Sequence, residues 1–338
     1  MSTDSQIQKP WSKWHERLHQ TLKEEPGLIP KGSTLLIAVS GGQDSMTLVK
    51  LINDLSRIYN WDLKVWHGDH GWHDKSEQIA KELEQWCKSN KLSFYLSKGS
   101  KKETHSEAQA REWRYEELKK IAYKLLNKSK TSRIFVLTGH TATDRAETLI
   151  LNLARGTDLA GLSSLRKSRA LSSEFQLVRP MLNFSREDTA EFCKQMLLPI
   201  WIDPSNSNIN LSRNRIRKEV IPTLNSLYPG CSLRIASLAE RLTFYKDDQK
   251  LLADLAIESL LHPEGLCRKK INNLPTTMKA TLFARWIESY QGPQLSANQL
   301  AALSLKISAN KDPGSYQMTK GWKINWNKNA IKIIPPSD

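Results

Sequence analysis

The sequence predicts an α/β protein: a parallel sheet with helices on both faces, followed by a smaller, mainly helical C-terminal domain with a short β tail. Three observations lead there. Short apolar runs alternate with longer amphipathic stretches from Thr34 to Leu197, the rhythm of βαβ units. A glycine turn, Gly41-Gly42, separates the first apolar run from the first amphipathic stretch. The chain is 338 residues long, more than one hydrophobic core usually organises.

The elements follow in order. In residues 8–24, Trp11, Trp14, Leu18 and Leu22 recur at helical spacing, which predicts an amphipathic helix ended by Pro26, Pro30 and Gly32. Apolar runs at Thr34–Ser40, Leu63–Gly68, Leu92–Ser97, Arg133–Thr138 and Gln176–Arg179 read as strands. Segments 44–58, 74–90, 106–127, 143–154 and 185–197 read as the helices between and after them. Ligands of such sheets bind outside the carboxyl ends of the strands, so motifs at strand ends matter most. Beyond Pro199 the pattern changes: Asp203-Pro204-Ser205-Asn206 makes a polar turn and Arg213-Asn214-Arg215-Ile216-Arg217-Lys218 a basic run. This gives an N-terminal helix in 1–32, an α/β domain in 33–215 and a helical domain in 216–338. Within the last, 231–260, 276–290 and 296–307 carry helical spacing, and Tyr316–Met318, Trp322–Trp326 and Ile331–Ile334 suggest a small hairpin or ribbon.

Composition narrows the class. A hydrophobic content of 39% and 11 tryptophans mark a folded chain. Cys87, Cys193, Cys231 and Cys267 lie far apart, which argues against a disulfide framework or a Cys-based metal site. The start is polar, and no apolar run reaches the ~18–20 residues that span a bilayer. A cytoplasmic protein without a membrane partner is expected. The net charge of +15 favours a polyanionic partner such as nucleic acid, the plain alternative being a basic surface that aids solubility.

The strongest motif is Ser40-Gly41-Gly42-Gln43-Asp44-Ser45, set between the first strand and the first helix. Two glycines let the backbone turn sharply and approach a ligand, and the N–H groups of the new helix point at an anion, above all phosphate. Ser40 and Ser45 can donate hydroxyl hydrogen bonds, and Asp44 can hold the magnesium a pyrophosphate brings. The structural alternative is a tight turn with Asp44 or Ser45 as a helix cap. The pattern is neither GxxxxGK[ST] nor GxGxxG; it resembles the SGGxDS signature of the PP-loop ATP pyrophosphatases, which cleave ATP between the α and β phosphates.

Further motifs follow in one order: Asp69-His70-Gly71, Glu107-Ala108-Gln109-Ala110-Arg111 with Arg114-Tyr115, Thr138-Gly139-His140, then Asp144, Glu147 and Thr148, Arg155-Gly156, Gly161-Leu162, Arg179-Pro180-Met181-Leu182, the Asp203 turn, the Arg213 run and Ile221-Pro222. Over residues 33–222 the series resembles the tRNA(Ile)-lysidine synthetase family. Two departures stand out. The family's HHxDDxxET reads His140-Thr141-Ala142-Thr143-Asp144-Arg145-Ala146-Glu147-Thr148, and its DHGLR reads Asp69-His70-Gly71-Trp72-His73.

Asp144 and Glu147, three apart on a predicted helix, turn their carboxylates the same way and suit a lysine ammonium or a shared magnesium; an acidic first turn that complements the helix dipole is the alternative. Arg111 and Arg114 share a face and suit phosphate or a cytosine carbonyl. Trp72 and Trp201 are suited to stack a base, although core packing is the commoner fate. The resemblance implies an ATP site of Ser40, Gly41, Gly42, Gln43, Asp44, Ser45, Asp69, His70 and Gly139; catalytic roles for Asp44, Arg111, His140, Asp144 and Glu147; tRNA contacts from Arg114, Arg179, Arg213, Arg215, Arg217 and Lys218; and magnesium on Asp44 and Asp144. It further implies ATP and Mg2+ as cofactors, free lysine and tRNA(Ile) with a CAU anticodon as partners, and ligation of lysine to C2 of the wobble cytidine through an adenylated base, which changes decoding from AUG to AUA. A homodimer is the default assembly. The alternatives are a tRNA thiolase of the same fold, a PP-loop synthetase acting on a small acid, and a non-catalytic RNA-binding protein.

Overall fold

A computed structural model describes residues 11–71, 75–100, 103–104, 106–127, 133–157, 159–162, 165–201, 211–309 and 312–336. Two compact units divide it, Met1–Thr243 and Phe244–Asp338. The sequence-predicted features at Trp72, His73 and Asp203–Asn206 lie outside the described residues.

The first unit opens with α1 (Lys13–Glu24), capped by the Ser12 side chain and reciprocally by His15. The helix buries Trp14, Leu18 and Leu22, whereas Trp11 is 44% exposed. Trp11 precedes the cap, so the helical spacing that seemed to include it does not apply; it stacks on His15 and bonds Glu16 instead. There follow β1 (Thr34–Ala38), α2 (Gln43–Tyr59), β2 (Asp62–Asp69), α3 (Ser76–Ser89), β3 (Ser93–Lys98), α4 (Glu107–Leu126), β4 (Ile134–Thr138), α5 (Ala142–Ala154), the single turn α6 (Leu159–Leu162), β5 (Ser168–Ala170), β6 (Phe175–Val178) and α7 (Arg186–Gln195). The strands form one sheet in the order β3-β2-β1-β4-β6-β5. Every pairing is parallel except β5 with β6.

Central β1 carries Leu35, Leu36 and Ile37 with no exposure, the continuous apolar run of a strand covered on both faces. One face packs on α1, α2, α3 and α7 through residues such as Leu18, Leu51, Leu83 and Phe192. The other packs on α4 through Trp113, Leu118 and Ala122. The expected doubly covered parallel sheet is therefore present. The order reverses between β1 and β4, a switch point where the loops after both strands diverge and leave a crevice. Edge strand β5 had no sequence signal: Ser-Arg-Ala has no apolar alternation, and only its backbone ladder to β6 defines it.

Past residue 211 the chain forms α8 (Ser212–Arg215), a π-helical stretch at Ile216–Val220, and α9 (Ile221–Leu227). Ile216 and Ile221 pack on Ala146 of α5. These contacts keep the segment after 215 within the first unit, so the structural division falls at 243/244, later than residue 215 and inside α10 (Cys231–Ser259).

The second unit holds β7 (Leu261–His262), β8 (Gly265–Cys267), α11 (Arg268–Asn272), α12 (Thr276–Ser289), α13 (Ala297–Ala309), β9 (Gly314–Gln317), β10 (Lys323–Trp326) and β11 (Ala330–Ile334). Its helices α12 and α13 match the expected segments 276–290 and 296–307, whereas the short α11 falls outside them. The tail is richer than a ribbon: it completes a five-stranded antiparallel sheet in the order β7-β8-β11-β10-β9. Strands of two and three residues, β7 and β8, are too short to show a period. Leu266, Phe283, Trp286, Leu303, Ile324 and Ile331 make its core. Buried Arg268 there donates to the carbonyls of Ile307, Asp312 and Asn327. Among the described residues no helix is long and apolar enough to cross a membrane.

Candidate active site

The crevice at the switch point is a cleft of about 400 Å³ in the first unit, lined from the ends of β1, β2 and β4 and by α4, α7 and α8. Its floor is the Ser40–Ser45 turn. Gly41 has φ +89°, a left-handed conformation that suits glycine. Its carbonyl accepts from Trp201 N at 3.0 Å. Gly42 caps α2 in an extended conformation with no side-chain cap bond, so neither Asp44 nor Ser45 is spent as a cap. The first intrahelical bond is Met46 N to Gly42 O at 3.0 Å, leaving the N–H groups of Gln43, Asp44 and Ser45 in the orphan first turn that binds anions. Ser45 Oγ lies 3.2 Å from Ser40 N and from Ser40 Oγ and donates to Gly42 O at 2.9 Å, which holds the turn closed. Across the switch point, Gly139 lets β4 approach: a Cβ there would lie 2.9 Å from Asp44 O and 3.0 Å from Ser45 N.

Asp44 accepts from Arg186 at 3.2 Å and from the Thr189 hydroxyl. Burial pushes its carboxyl above the usual range; Arg186 pulls it down, and the charge of Asp144 pushes it up again. Asp144 closes a capping box on α5, accepting from Thr141 N at 2.9 Å and Thr141 Oγ1 at 3.0 Å. Its other oxygen accepts from Arg213 at 3.1 Å and Arg217 at 3.2 Å. Burial raises Asp144, but His140, Arg213 and Arg217 outweigh it and the carboxyl is held below its ordinary value. Asp144 thus caps the helix and also lines the cleft. His140 accepts or donates at Thr138 Oγ1, 2.9 Å away. Burial pushes its imidazole down, against the Asp144 charge and with help from Arg179, Arg213 and Arg111, so it is neutral.

Asp69 accepts from Gly71 N at 2.8 Å, and His70 Nε2 meets Arg114 at 3.2 Å. The cleft thus gathers Ser40, Gly42, Gln43, Asp44, Ser45, Asp69, His70, Gly139, His140, Asp144 and the helix pair Arg111 and Arg114 from the sequence-expected set. Glu147 stands behind it, 1% exposed, bonded by Arg213 at 2.9 Å and Arg217 at 2.8 Å.

The tRNA-binding set does not stay together. Arg179 is 1% exposed, its guanidinium donating to Arg166 O at 2.9 Å, so it offers no surface to RNA. Arg213 and Arg217 face inward to Asp144 and Glu147 instead of outward as a basic run, because one helical turn separates them and both reach the carboxylates of α5. Arg215 pairs with Glu219 at 2.8 Å on the exposed side, where Lys218 also lies. Trp201 packs beside Gly41, donates to Glu82 at 2.6 Å and, half-buried, also lines the cleft.

Sequence reasoning missed Arg186. It opens α7, lines the cleft and bonds Asp44. Its backbone N–H donates to Thr143 Oγ1 at 3.1 Å, so the threonine that replaces a familial aspartate helps place it. The signal was present: an arginine directly after the capping Ser185 opposes the helix dipole, a cost that points to use. For magnesium, the donor set fits in kind: Asp44 and Asp144 are hard oxygen ligands whose charges raise each other's cost, and such a cation takes one or two carboxylates plus phosphate oxygens and water.

A parallel sheet with a glycine loop and helix N-terminus at its switch point defines a nucleotide-binding domain of the PP-loop class, and a PP-loop domain family matches residues 10–224. The chain is 54% identical over 336 residues to the tRNA(Ile)-lysidine synthase of Prochlorococcus marinus, covering 99% of this chain and all of that one. It is 44% identical to that of Parasynechococcus marenigrum, over 97% and 96% of the two chains. The chain belongs to the tRNA(Ile)-lysidine synthase family. Among solved structures, a U34-tRNA thiolase from Methanococcus maripaludis with its [4Fe-4S] cluster shares the fold, with a TM-score of 0.54 and 18% identity over 68% of this chain and 77% of that one.

Proposed function

We propose that this protein uses ATP to join free lysine to C2 of the wobble cytidine of tRNA(Ile) with a CAU anticodon, through an adenylated base. The observation that carries the reading is the Ser40–Ser45 turn at the switch point, with Asp44, Asp144 and five arginines around one cleft. The turn and the first N–H groups of α2 hold the β and γ phosphates. Arg186 and Arg111 face the charge that develops as the cytidine oxygen displaces pyrophosphate at the α phosphate. Magnesium, held by Asp44 and Asp144, would neutralise the same charge. Neutral His140 sits beside Asp144 in the cleft, where its ring can hydrogen-bond and orient the substrate.

Asp144 presents the carboxylate for the lysine ammonium, and Glu147 acts behind it by fixing Arg213 and Arg217. The second unit would contribute tRNA contacts, and two copies would form the working assembly. A thiolase reading is weaker: Cys87 and Cys193 are buried, lie outside the cleft lining, and burial pushes both thiols up, Cys87 to about 12.

The test is incubation with ATP, labelled lysine and an unmodified tRNA transcript. Label enters the RNA with AMP and pyrophosphate released in equal amounts; absence of incorporation with every tRNA tried sinks the reading. Asp144→Asn raises the KM for lysine and, through the magnesium shared with Asp44, that for ATP as well.

A further inference from the structure

A second cleft, of about 320 Å³, is walled by α4 and edge strand β5. Arg111 lines both this cleft and the first. At its centre is Tyr115. The Arg111 guanidinium lies 5.3 Å from the phenol ring centroid and that of Arg169 4.9 Å. The charges of Arg169 and of Arg179 also act on the phenol, while Arg169 donates to Ala170 O at 3.3 Å and Arg179 to Arg166 O at 2.9 Å. Arg179 is itself buried, and its Nε has no partner among the described residues.

Two guanidiniums therefore lie over one phenol ring with the buried Arg179 guanidinium acting on the same group, and none of the three is paired with a carboxylate among the described residues. Of the two acids on the rim, Glu116 is bonded by Lys119 at 2.8 Å, which leaves Glu112. The concentration of like charge acts on its members. Burial raises the Tyr115 hydroxyl, yet the arginines outweigh burial and hold it below its ordinary value, while burial and the neighbouring Arg169 and Arg111 depress Arg179. Fold stability does not call for such a cluster: like charges repel, and folding alone is better served by a carboxylate or an apolar side chain. An anion relieves it.

We propose that this cleft binds a phosphodiester of the RNA strand adjoining the nucleotide held in the first cleft, with Arg111, Arg169 and Tyr115 as its ligands. Guanidinium forks match phosphate oxygens in pairs. A phenol hydroxyl beside them can donate its proton to a phosphate oxygen. The arginine common to both clefts makes them neighbouring subsites of one strand, and β5 exists in the fold as the arm that brings Arg169 to α4. The proposal rests on the tRNA reading above.

The test measures Arg169→Ala and Arg169→Lys with an unmodified tRNA transcript, by anisotropy and by steady-state kinetics. For Arg169→Ala, the Kd for tRNA rises about tenfold and the slope of log Kd against log salt falls by about one. The KM for ATP and kcat at saturating tRNA stay within about twofold of wild type, and Arg169→Lys restores the salt slope. Tyr115→Phe weakens tRNA binding without changing the slope. An unchanged tRNA Kd in Arg169→Ala, with wild type binding tRNA normally, overturns the subsite alone. If inorganic phosphate protects wild type but not Arg169→Ala against heat while tRNA binding is the same in both, the cleft takes a free anion and the strand assignment is overturned. Failure of wild type to bind any tRNA removes the functional reading and this one together.

Discussion

At Gly139 a single added methyl group would sit 2.9 Å from the Asp44 carbonyl oxygen and 3.0 Å from Ser45 N, both backbone atoms that cannot turn away. Gly139→Ala therefore pushes the start of α2 off β4. It is expected to cost about 1–3 kcal/mol of stability and to raise the KM for ATP by about tenfold or more, since small displacements at a reacting centre carry penalties up to about a hundredfold. Denaturant unfolding and ATP kinetics check the two numbers; an unchanged ATP KM would remove Gly139 from the nucleotide site. His140 makes a second prediction. Burial lowers its pKa far below the ordinary histidine value, so the ring stays neutral from pH 5 to 8 and contributes no limb to the activity profile near pH 6.5. A ring titration followed by NMR with a midpoint near 6.5 would contradict the burial that holds it. At this scale the sequence exposed what has local grammar. The Ser40–Ser45 turn was legible because its glycines, its strand and its helix are contiguous. Arg186 was not, because its use depends on Asp44, 142 residues away.

Among the elements, α5 and α8 meet through charge. Glu147 on α5 is 1% exposed, while Arg213 and Arg217 keep 24% and 22% of their side chains in solvent. Glu147→Ala leaves two guanidiniums against Asp144 alone, a broken pair worth about 3 kcal/mol, the lower end for buried pairs because the arginines retain some water. Urea unfolding measures it. A loss under about 1 kcal/mol would show that the arginines simply turn to solvent. Helix α1 makes a contrasting case, because it is held by apolar area: Trp14 is 1% exposed against Phe192. Trp14→Ala is expected to cost about 3–5 kcal/mol and to leave kcat unchanged at low temperature, since no α1 residue lines the cleft. Periodicity revealed both α1 and α5, because long amphipathic helices repeat their pattern several times. It could not reveal β5, β7 or β8, whose two or three residues complete no period and which exist only because a neighbouring strand supplies the ladder.

For the whole molecule, the excess of 15 positive charges was the sequence's broadest hint of an RNA partner, and the structure changes where that charge acts. Arg213, Arg217 and Arg186 are committed to carboxylates inside the first unit, and Arg179 is buried. Half of the basic run that looked like an RNA strip, Arg213 and Arg217, is internal wiring, a distinction invisible in sequence because Asp144 and Glu147 lie about seventy residues earlier. What remains for a polyanion is Arg215 and Lys218 on the exposed side, the Arg111 and Arg169 cleft, and cations scattered over both units. Binding should then behave as several separate phosphate contacts. The Kd for tRNA, measured across added chloride, is expected to follow a straight line in log–log form with a slope set by the number of phosphates neutralised, about 0.7 to 0.9 per contact. Lys218→Ala lowers that slope by about one, whereas Arg217→Ala leaves it almost unchanged and acts on stability and lysine use instead. Equal effects of the two substitutions on the slope would mean that Arg217 leaves Glu147 when tRNA arrives, and that the inward network is exchanged for RNA on binding.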